Sequence, residues 1–569
     1  MSADRTASIR TSSRMRLQIA AWLGCMILLT ALTTGGFAIP DPPSGDPRGT
    51  GGLGGPADPE AWFRPTTCGD GGCACIPPEE RARVEAEVAA NLERLGLAEG
   101  GVAASSARPY PFFPMAGNAD EDRIHGNFVD LNPSGAILDY RCSAISYNGH
   151  QGIDTDLRQL VHQDMGVPVY AALDGTVVFI RDGEPDDNRC VCGGAIPGWP
   201  QCPPGTEGNA VIIDHGGGHQ SWYWHLRTGS VSVSLGEAVV AGQPIGMVAS
   251  SGCSTGPHLH FESRLGGVRY EPFAGNCNAV PSGWVEQEPF DTGLKVRGFA
   301  TSRTSPGAAP SPLELPISVQ KALSDPSIFV WVQLGNVPAN STWQFRFLRP
   351  NGTTAFTSSV GQLSSGFIRS GLWWWQWNIG DLQQITGTWT VRLDINGVAA
   401  VTAPFVVVNT INPNFNRAPN PIGVALSPSS PTVSDALIGR VNGPFPIADP
   451  DFNHVSHRWV WRVNGQVVRD VTTGARSDIL ARGLGHPGAS ISCTVTPSDG
   501  LLQAPSVSAS VTVVARCPAD LDGNSSVNSA DLTMLLSAWG LPGASDLDGD
   551  GSTGATDLLA LLAAWGDCP

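Results

Sequence analysis

The stretch STGPHLHFE, residues 254–262, decides the fold and holds two histidines separated by one residue. On a β-strand, side chains two positions apart point to the same face and lie about 6 to 7 Å apart along the chain. If this stretch is a strand, His258 and His260 therefore look into one place. Such a pair supplies either two metal ligands, or one ligand and one neighbour of the bound water, and the spacing does not choose between these.

Two further segments of the sequence contain candidate metal-site residues. YNGHQGIDTDL, residues 147–157, contains His150 and Asp154, and SWYWHLRTG, residues 221–229, contains His225. Two or three imidazoles and one carboxylate make a catalytic zinc set with an open position for water.

Distance constrains the pair formed by His150 and Asp154. Zinc bonds of about 2.0 to 2.2 Å need donor atoms roughly 3 to 3.5 Å apart, whereas four residues of straight strand span about 13 Å. The chain between the two residues must therefore bend, and Gly149 and Gly152 allow the bend.

The composition predicts a mainly β, modular protein. A chain of 569 residues is too long for one core. The 68 Gly and 46 Pro, with only 15% charged residues, are typical of many short strands and turns. The net charge of −17 argues against nucleic-acid binding, which needs a basic surface.

The first 38 residues have the parts of a secretory signal peptide. Four arginines between Arg5 and Arg16 precede an apolar run over residues 19–32, and residues 36–38 offer a small-x-small cleavage site. We expect cleavage after Ala38 and a secreted, extracellular or cell-surface protein. An uncleaved membrane anchor is the alternative, and lipidation at Cys25 is a weaker one.

Export changes the interpretation of the 13 cysteines. Twelve remain after Cys25 is removed, and disulfides persist in an oxidising compartment. The Cys-x-Cys pairs at 73 and 75 and at 190 and 192 match no common structural zinc spacing. We therefore expect disulfides, whose connectivity the sequence does not give. Cys493 has no evident partner in its own block.

The domain organisation follows from shifts in composition and periodicity. An amphipathic helix is predicted from Pro77 to Gly96, and regular short strands with turns between them predict two β-sandwiches. The motifs WVWRVNGQVV and CTVTPSDG resemble Ig-like modules. The predicted parts are a signal peptide (1–38), a linker and short helical region (39–108), a β-rich domain with the histidines (109–290), a linker (301–316), a β-sandwich (316–409), an Ig-like β-sandwich (418–515) and a small α-helical C-terminal module (517–569).

Four segments in order resemble the M23 family of zinc metallopeptidases, the lysostaphin and LytM type of peptidoglycan endopeptidase. They are GHQGIDTDL, GVPVYAALDGTVV, GNAVIIDHGGGHQSWYWHL and SVSLGEAVVAGQPIGMVASSGCSTGPHLHFE. The resemblance covers about residues 147–262 and implies an antiparallel β-sheet peptidase domain over 109–290. It implies that His150, Asp154 and His260 bind zinc. It also implies that His258 and His225 act on the water and the transition state, with His258 as the base and His225 as its partner, or with these roles exchanged.

That assignment has a physical basis. Zinc lowers the pKa of its bound water towards about 7 and polarises the scissile carbonyl. A neutral imidazole beside it can take the proton of the water, and a second imidazole, as a donor, can stabilise the developing oxyanion.

One insertion departs from the family pattern. Residues 181–207 carry three cysteines and are longer than a hairpin connection. We predict a disulfide-braced loop near the groove, which puts the substrate specificity in doubt. Cys253, just before the His-x-His strand, is interpreted as structural rather than as a nucleophile.

The C-terminal module is an internal repeat with a period of 26 residues: DLDGNSSVNSADLTMLLSAWG begins at 520 and DLDGDGSTGATDLLALLAAWG at 546. Positions 1, 3, 5 and 12 of a calcium loop surround a hard cation with oxygen donors. The predicted calcium ligands are Asp520, Asp522, Asn524 and Asp531 in the first repeat and Asp546, Asp548, Asp550 and Asp557 in the second. A solvated acidic tail without an ion is the alternative.

The repeat resembles dockerin type I modules, which implies a cohesin-like or cell-surface partner. Dockerins that bind cohesins often carry a Ser/Thr pair at loop positions 10 and 11. Here those positions hold Ser529-Ala530 and Ala555-Thr556, which leaves cohesin binding open. Ser525 replaces the usual glycine of the first loop, so we expect a weaker first site.

The leading hypothesis is a secreted zinc metalloendopeptidase that cuts peptide stems or cross-bridges of peptidoglycan through a metal-activated water, using Zn²⁺ in catalysis and Ca²⁺ in the C-terminal repeats. One alternative is a catalytically silent M23-like protein that binds or regulates cell wall. Another is a surface-attached peptidase that acts on other proteins.

Overall fold

The computed structural model describes nine segments of the chain, which are residues 76–98, 107–132, 134–188, 190–192, 200–308, 314–378, 385–515, 517–522 and 526–567. All of them fall within residues 43–569, which form one unit. The predicted signal peptide and Cys68, Cys73 and Cys75 lie outside the described residues. Within these segments strand far outweighs helix, so the prediction of a mainly β protein is confirmed.

Helix α1, Pro78–Leu95, confirms the helix predicted over 77–96. A proline at the start presets φ and removes an N–H that the first turn leaves unpaired. Glu79 and Glu80 lie in the first turn, at the positive end of the helix dipole. Gly96 ends the helix in the left-handed conformation, with φ of 70°.

The described residues of the first domain form ten strands and one short helix. Their bounds are β1 Arg123–Asn127, β2 Ile153–Leu157, α2 Leu160–Asp164, β3 Pro168–Tyr170, β4 Gly175–Arg181, β5 Ala210–Asp214, β6 His219–Trp224, β7 Ala238–Val239, β8 Pro244–Met247, β9 His258–Leu265 and β10 Val268–Tyr270. Eight strands form one sheet in the order β1-β2-β9-β6-β5-β4-β7, with β10 paired to β9. All of its pairings are antiparallel. Strands β3 and β8 form a separate antiparallel pair.

The two faces of this sheet are covered by different parts of the chain. Tyr223 and Phe261, opposite each other on β6 and β9, belong to the main core. Trp222 and Trp224 point to the other face, where they pack with Val84 and Val88 of α1. Because His260 stands opposite Trp224 in the register, helix α1 lies on the sheet face that carries the His-x-His motif.

The second domain consists of two sheets around one core. Its strands are β11 Lys295–Ser302, β12 Gln320–Ala322, β13 Ile328–Val337, β14 Thr342–Leu348, β15 Thr354–Thr357, β16 Gly361–Gln362, β17 Ile368–Trp377, β18 Gly387–Ile395 and β19 Val398–Val408. The sheets are β11-β13-β17 and β12-β19-β18-β14-β15, with β16 paired to β14. The core contains Trp373, Trp374 and Trp375.

This domain begins earlier than the sequence predicted. Strand β11 starts at Lys295 and pairs with β13 as far as Ser302, opposite Phe329. Thr301 and Ser302 therefore lie in a strand and not in the linker predicted over 301–316. The Pro, Ser and Ala composition that suggested a linker starts only after the backbone hydrogen bonds of β11 are complete.

The third domain also has two sheets, and it packs on the first. Its strands are β20 Gly423–Ser427, β21 Leu437–Asn442, β22 Ser456–Val463, β23 Gln466–Thr473, β24 Ser477–Leu480, β25 Ser490–Ser498 and β26 Val507–Thr512, in the sheets β20-β21-β24 and β23-β22-β25-β26. Ala475 and Ile479 belong to the core of the first domain. The Tyr170 hydroxyl donates to Asp478 Oδ1 at 2.7 Å, so a buried hydrogen bond also joins the two domains.

The C-terminal module contains two short helices, α3 Ser529–Ser537 and α4 Ala555–Ala563, and a two-stranded ladder of β27 Ser526–Val527 and β28 Gly566–Asp567. Its buried apolar residues are Ala519, Val527, Leu535 and Leu561. Leu535 and Leu561 are one 26-residue repeat apart, so the two helices meet through equivalent positions.

Three disulfides lie in the first domain: Cys142–Cys277, Cys190–Cys202 and Cys192–Cys253. They confirm the prediction of disulfides over metal ligands for Cys190 and Cys192, and they make Cys253 structural. Cys493 is buried and unpaired, while Cys568 lies outside the described residues. Among the described helices, none combines the length and apolarity needed to cross a bilayer.

Candidate metal centre and active site

The structure brings the three predicted zinc ligands together, with Asp154 on β2, His260 on β9 and His150 in the loop just before β2. His150 Nε2 lies 3.1 Å from Asp154 Oδ1 and 3.2 Å from His260 Nδ1, and His260 Nδ1 lies 2.8 Å from Asp154 Oδ1. All three side chains are buried. Donor atoms about 3 Å apart match a four-coordinate zinc with bonds of about 2.0 to 2.2 Å, so this donor set fits zinc.

The register and two glycines produce this convergence. Asp154 on β2 stands directly opposite His260 on β9, so their side chains share a face. His150 precedes β2 and is turned back by Gly149, whose φ of 77° is in the left-handed region. A Cβ at Gly152 would lie 2.7 Å from Phe261 O and 2.8 Å from His260 Nε2. Only glycine therefore allows β2 to approach the His260 ring this closely.

Each of the three ligands is held by a second polar group. His150 Nδ1 donates to the carbonyl oxygen of Phe128 at 2.8 Å, and Asn127 Nδ2 donates to Asp154 Oδ2 at 3.0 Å. His260 Nε2 donates to Glu262 Oε1 at 3.1 Å. These bonds leave His150 Nε2, Asp154 Oδ1 and His260 Nδ1 as the atoms that face each other, which is how outer partners commonly fix metal ligands.

Sequence reasoning missed both Asn127 and Glu262. Asn127 ends strand β1, which is separated from Asp154 by a long loop, and no spacing pattern reveals that contact. Glu262 could have been found, because it lies two residues after His260 and therefore on the same strand face. It is the last residue of the stretch HLHFE.

Glu262 is a fully buried carboxylate inside a cluster of cations. Burial raises the pKa of its carboxyl, whereas the charges of Arg81 and Arg264 and the hydrogen bond from His260 lower it by a larger amount. The net pKa therefore lies well below the usual 4.5. The carboxyl is therefore ionised and accepts hydrogen bonds from all of its neighbours.

The two predicted catalytic histidines lie beside the ligand set. Their ring centroids are 4.4 Å apart. His258 Nε2 is 3.7 Å from Asp154 Oδ1. The His258 Nδ1 atom donates to Gly256 O at 2.8 Å, and His225 Nδ1 donates to Ser251 O. When either ring is neutral, its proton therefore sits on Nδ1 and its Nε2 carries the lone pair.

His225 occupies an unusual backbone position. It follows strand β6 directly and has φ of 64°, a conformation that few residues other than glycine adopt. Leu226 N, the next backbone donor, bonds to Asn209 O, and Ala249 N donates to His225 O. These contacts hold the strained residue so that its ring lies next to His258.

The inserted segment is braced by disulfides, as predicted, and one of them joins it to the turn that precedes strand β9. Cys192 is bonded to Cys253, and Cys190 N donates to Ser254 O at 2.8 Å. Residues 189 and 193–199 of the insertion lie outside the described residues. The described part of the insertion therefore contacts the turn that leads into His258.

The predicted calcium ligands form two separate acidic groups. Carboxylate oxygens of Asp520, Asp522 and Asp531 lie within 4.8 Å of one another, and those of Asp546, Asp548 and Asp557 do the same. Asp550 lies in the second loop, where its backbone N–H donates to Asp546 Oδ1 at 3.1 Å. Asn524 lies outside the described residues.

Comparison with known proteins identifies the sheet domain. The model of peptidase family M23 matches residues 148–272, which include all five predicted zinc-site residues. The chain carries an M23 peptidase domain. The M23 domain thus contains the three predicted ligands together with His225 and His258.

Two curated relatives match this part of the chain. The glycyl-glycine endopeptidase ALE-1 of Staphylococcus capitis is 32% identical over 161 residues, which cover 28% of this chain and 33% of that protein. The peptidoglycan DD-endopeptidase ShyB of Vibrio cholerae is 28% identical over 172 residues, which cover 29% of this chain and 33% of that protein. The chain thus spans about a third of the length of each relative.

A solved structure is also similar. The catalytic domain of the antimicrobial peptidase lysostaphin from Staphylococcus simulans is 23% identical and covers 27% of this chain and 90% of that chain. The TM-score is 0.17.

Proposed function

We propose that this protein is a secreted zinc metalloendopeptidase that hydrolyses peptide bonds in the stems or cross-bridges of peptidoglycan. The observation that carries the proposal is the ligand set of His150, Asp154 and His260, with donor atoms 2.8 to 3.2 Å apart, beside the paired rings of His225 and His258. Both features lie inside the M23 domain.

A zinc ion held by these ligands would supply Lewis-acid chemistry, polarising the scissile carbonyl and making water more acidic. His258 is the better candidate for the base, because its Nε2 is 3.7 Å from Asp154 Oδ1 and its Nδ1–H is already committed to Gly256 O. Nε2 can then accept the proton of the attacking water.

His225 supports the second half of the reaction. Its Nδ1–H is committed to Ser251 O, so Nε2 becomes a donor only after the ring has gained a proton. Charged in this way, the ring can stabilise negative charge on the scissile oxygen or pass the proton to the leaving amine. Since both rings present the same tautomer, the exchanged assignment predicts the same products.

The name of one relative, a peptidoglycan DD-endopeptidase, supports peptidoglycan as the substrate class. The other relative is named a glycyl-glycine endopeptidase, which supports a peptide bond as the target. The described part of the insertion is bonded to the turn before His258, so it is our candidate for the element that selects the bond to be cut. The three disulfides of the M23 domain also support export, because such bonds persist in oxidising compartments.

Digestion with product analysis tests this function. The full chain is incubated with purified peptidoglycan and with casein, with and without a chelator selective for zinc, and new termini are identified by mass spectrometry. We expect zinc-dependent cleavage of peptidoglycan peptides, lost in His258→Ala but kept in His486→Ala, an exposed histidine of the third domain. Cleavage of casein alone would instead favour a protein substrate, and no cleavage by the zinc-loaded chain would overturn the proposal.

We propose further that the C-terminal module binds two calcium ions. The two acidic groups and the absence of any positive side chain in this module support it. The small core of the module also supports it, because few buried apolar residues favour metal-assisted folding. Titration calorimetry of the full chain, after a chelator has removed its metal, should detect two calcium-binding events. Asp546→Ala should lose one of them, and the control Asp164→Ala should keep both. A single weak binding heat that Asp546→Ala leaves unchanged would contradict the two calcium sites.

The same module is proposed to dock on a cohesin-like or cell-surface partner. Large apolar side chains are exposed at equivalent positions of the two repeats, at Leu536 and Leu562 and at Trp539 and Trp565. A purified cohesin domain is the direct probe. Binding that is weakened in the double variant Trp539→Ala/Trp565→Ala would support docking through these residues, and no binding in the presence of calcium would exclude a cohesin partner.

A further inference from the structure

Helix α1 lies outside the residues matched by the M23 model, yet it contacts Glu262, the carboxylate that accepts a hydrogen bond from the ligand His260. The match begins at residue 148, whereas α1 spans Pro78–Leu95. The helix packs against Trp222 and Trp224 on the sheet face that bears His260. Its polar side chains also reach the sheet, where Asn91 Nδ2 donates to the carbonyl oxygen of Val178 at 2.8 Å.

One of these polar side chains, Arg81, binds the carboxylate of Glu262, which accepts a hydrogen bond from His260. Arg81 Nη1 donates to Glu262 Oε2 at 3.0 Å, and Arg81 Nη2 lies 2.7 Å from Glu262 Oε1. The Arg81 side chain is 12% exposed and that of Glu262 is 0% exposed. This is a bidentate guanidinium–carboxylate pair in a buried setting, which fixes geometry better than a single contact does.

The second arginine beside Glu262 cannot do the same. Arg264 Nε and Nη2 both contact Glu262 Oε2, each at 3.0 Å, and neither contact is to Oε1. Arg264 also forms an ion pair with Glu85, in which Arg264 Nη1 donates to Glu85 Oε1 at 2.8 Å. Among the described residues, Arg81 is the cation that contacts both carboxylate oxygens, so it fixes the rotation of the carboxylate that presents Oε1 to His260.

The orientation of Glu262 sets that of the metal ligand. Oε1 accepts a hydrogen bond from His260 Nε2–H at 3.1 Å, which leaves the Nδ1 lone pair aimed at Asp154 and His150. If the carboxylate turned, His260 would lose both its tautomer preference and its ring orientation. Partners of this kind commonly change metal affinity by about 10-fold to 100-fold.

We propose that Arg81 is a positioning residue of the metal centre, acting through Glu262 on His260, so that α1 is a working part of the peptidase. This inference rests on the proposed zinc site. It predicts that the catalytic unit starts at or before α1, and that a fragment beginning at residue 109 binds zinc more weakly than the full chain.

The test measures zinc affinity and not activity. Zinc dissociation constants are obtained by competition with a chromogenic chelator for the full chain and for Arg81→Met, Arg81→Lys and the control Arg83→Met. Arg83 lies on the same helix but pairs with Glu207 and is 57% exposed. We expect Arg81→Met to weaken zinc binding about 10-fold, Arg81→Lys to weaken it less, and Arg83→Met to change it less than twofold.

A double-mutant cycle with Glu262→Gln identifies the route of the effect. If Arg81 acts through Glu262, Arg81→Met adds no further loss of zinc affinity in the Glu262→Gln background. Equal affinities for Arg81→Met and Arg83→Met would overturn the inference, and so would a full additional loss in the cycle. If Arg81→Met fails to fold, as judged by circular dichroism of the zinc-free protein, Arg81→Lys carries the same comparison. Failure of the parent chain to bind zinc at all would refute the metal centre itself and is distinct from these outcomes.

Discussion

Replacement of Glu271 by glutamine should flatten the pH dependence of the stability of the M23 domain. Glu271 is 3% exposed, and burial raises the pKa of its carboxyl to about 8. Its oxygens accept hydrogen bonds from Phe273 N at 2.8 Å and from Val129 N at 3.0 Å. Val129 follows Phe128, whose carbonyl oxygen holds His150, so this carboxyl lies behind a loop of the metal centre.

The sign and size of the effect follow from that pKa. The folded-state value of about 8 lies above the ordinary 4.5, so between these values the folded protein binds more protons than the unfolded chain. The free energy of unfolding therefore falls as the pH rises through this window. At about 1.4 kcal/mol for each pKa unit, the fall amounts to about 5 kcal/mol. Glutamine has no charge to bury and lacks this fall.

The glutamine substitution also lowers the free energy of unfolding, but by an amount that does not vary with pH. The glutamine amide nitrogen faces one of the two backbone N–H groups, which costs about 1 to 3 kcal/mol at every pH. Calorimetric scans from acid to mildly alkaline pH would compare the parent chain, Glu271→Gln and the control Glu286→Gln, whose side chain is exposed. As the pH rises from 4.5 to about 8, the unfolding temperature of Glu271→Gln should rise by roughly 10 °C relative to that of the parent chain at the same pH. Parallel curves for all three proteins would refute the reasoning.

Three further predictions concern the surroundings of the metal ligands. Gly152→Ala should weaken zinc binding and lower the unfolding temperature, because the new Cβ would lie 2.7 Å from Phe261 O; Gly423→Ala, whose nearest neighbour is at 3.8 Å, is the control, and equal behaviour of the two would count against the close approach. Asn127→Ala should raise the zinc dissociation constant about 10-fold by releasing Asp154 Oδ2, and an unchanged constant would exclude that role. Cys192→Ser should cost up to about 4 kcal/mol of stability, since the bond to Cys253 closes a loop of 61 residues; unchanged calorimetric stability would contradict this expectation.

The ligand set was predictable because local rules produce most of it. The two-residue period of a strand puts His258 and His260 on one face, and the bend at Gly149 follows from the distance that a metal demands. The family resemblance supplied what periodicity could not, namely the different roles of the two histidines.

The contacts that hold the ligands were not predictable, because they join residues far apart in sequence. Arg81 and Glu262 are separated by 181 positions, and helical periodicity predicted α1 without naming the surface that it covers. Asn127 and Asp154 meet only through the pairing of β1 with β2, where the register shifts between His125 and Asn127. The start of β11 at Lys295 was missed for the same reason, because the strand is defined by its pairing with β13.

The most direct test of the central claim is a zinc titration of peptide-bond hydrolysis. The full chain is stripped with a chelator selective for zinc over calcium, zinc is returned in measured amounts, and the release of new amino termini from peptidoglycan is followed. We expect no release from the stripped chain and a rise that levels off at one zinc per chain. In Asp154→Ala, which loses the ligand shared by both histidine contacts, added zinc should restore nothing. Undiminished hydrolysis by the stripped chain, or by Asp154→Ala, would contradict the account.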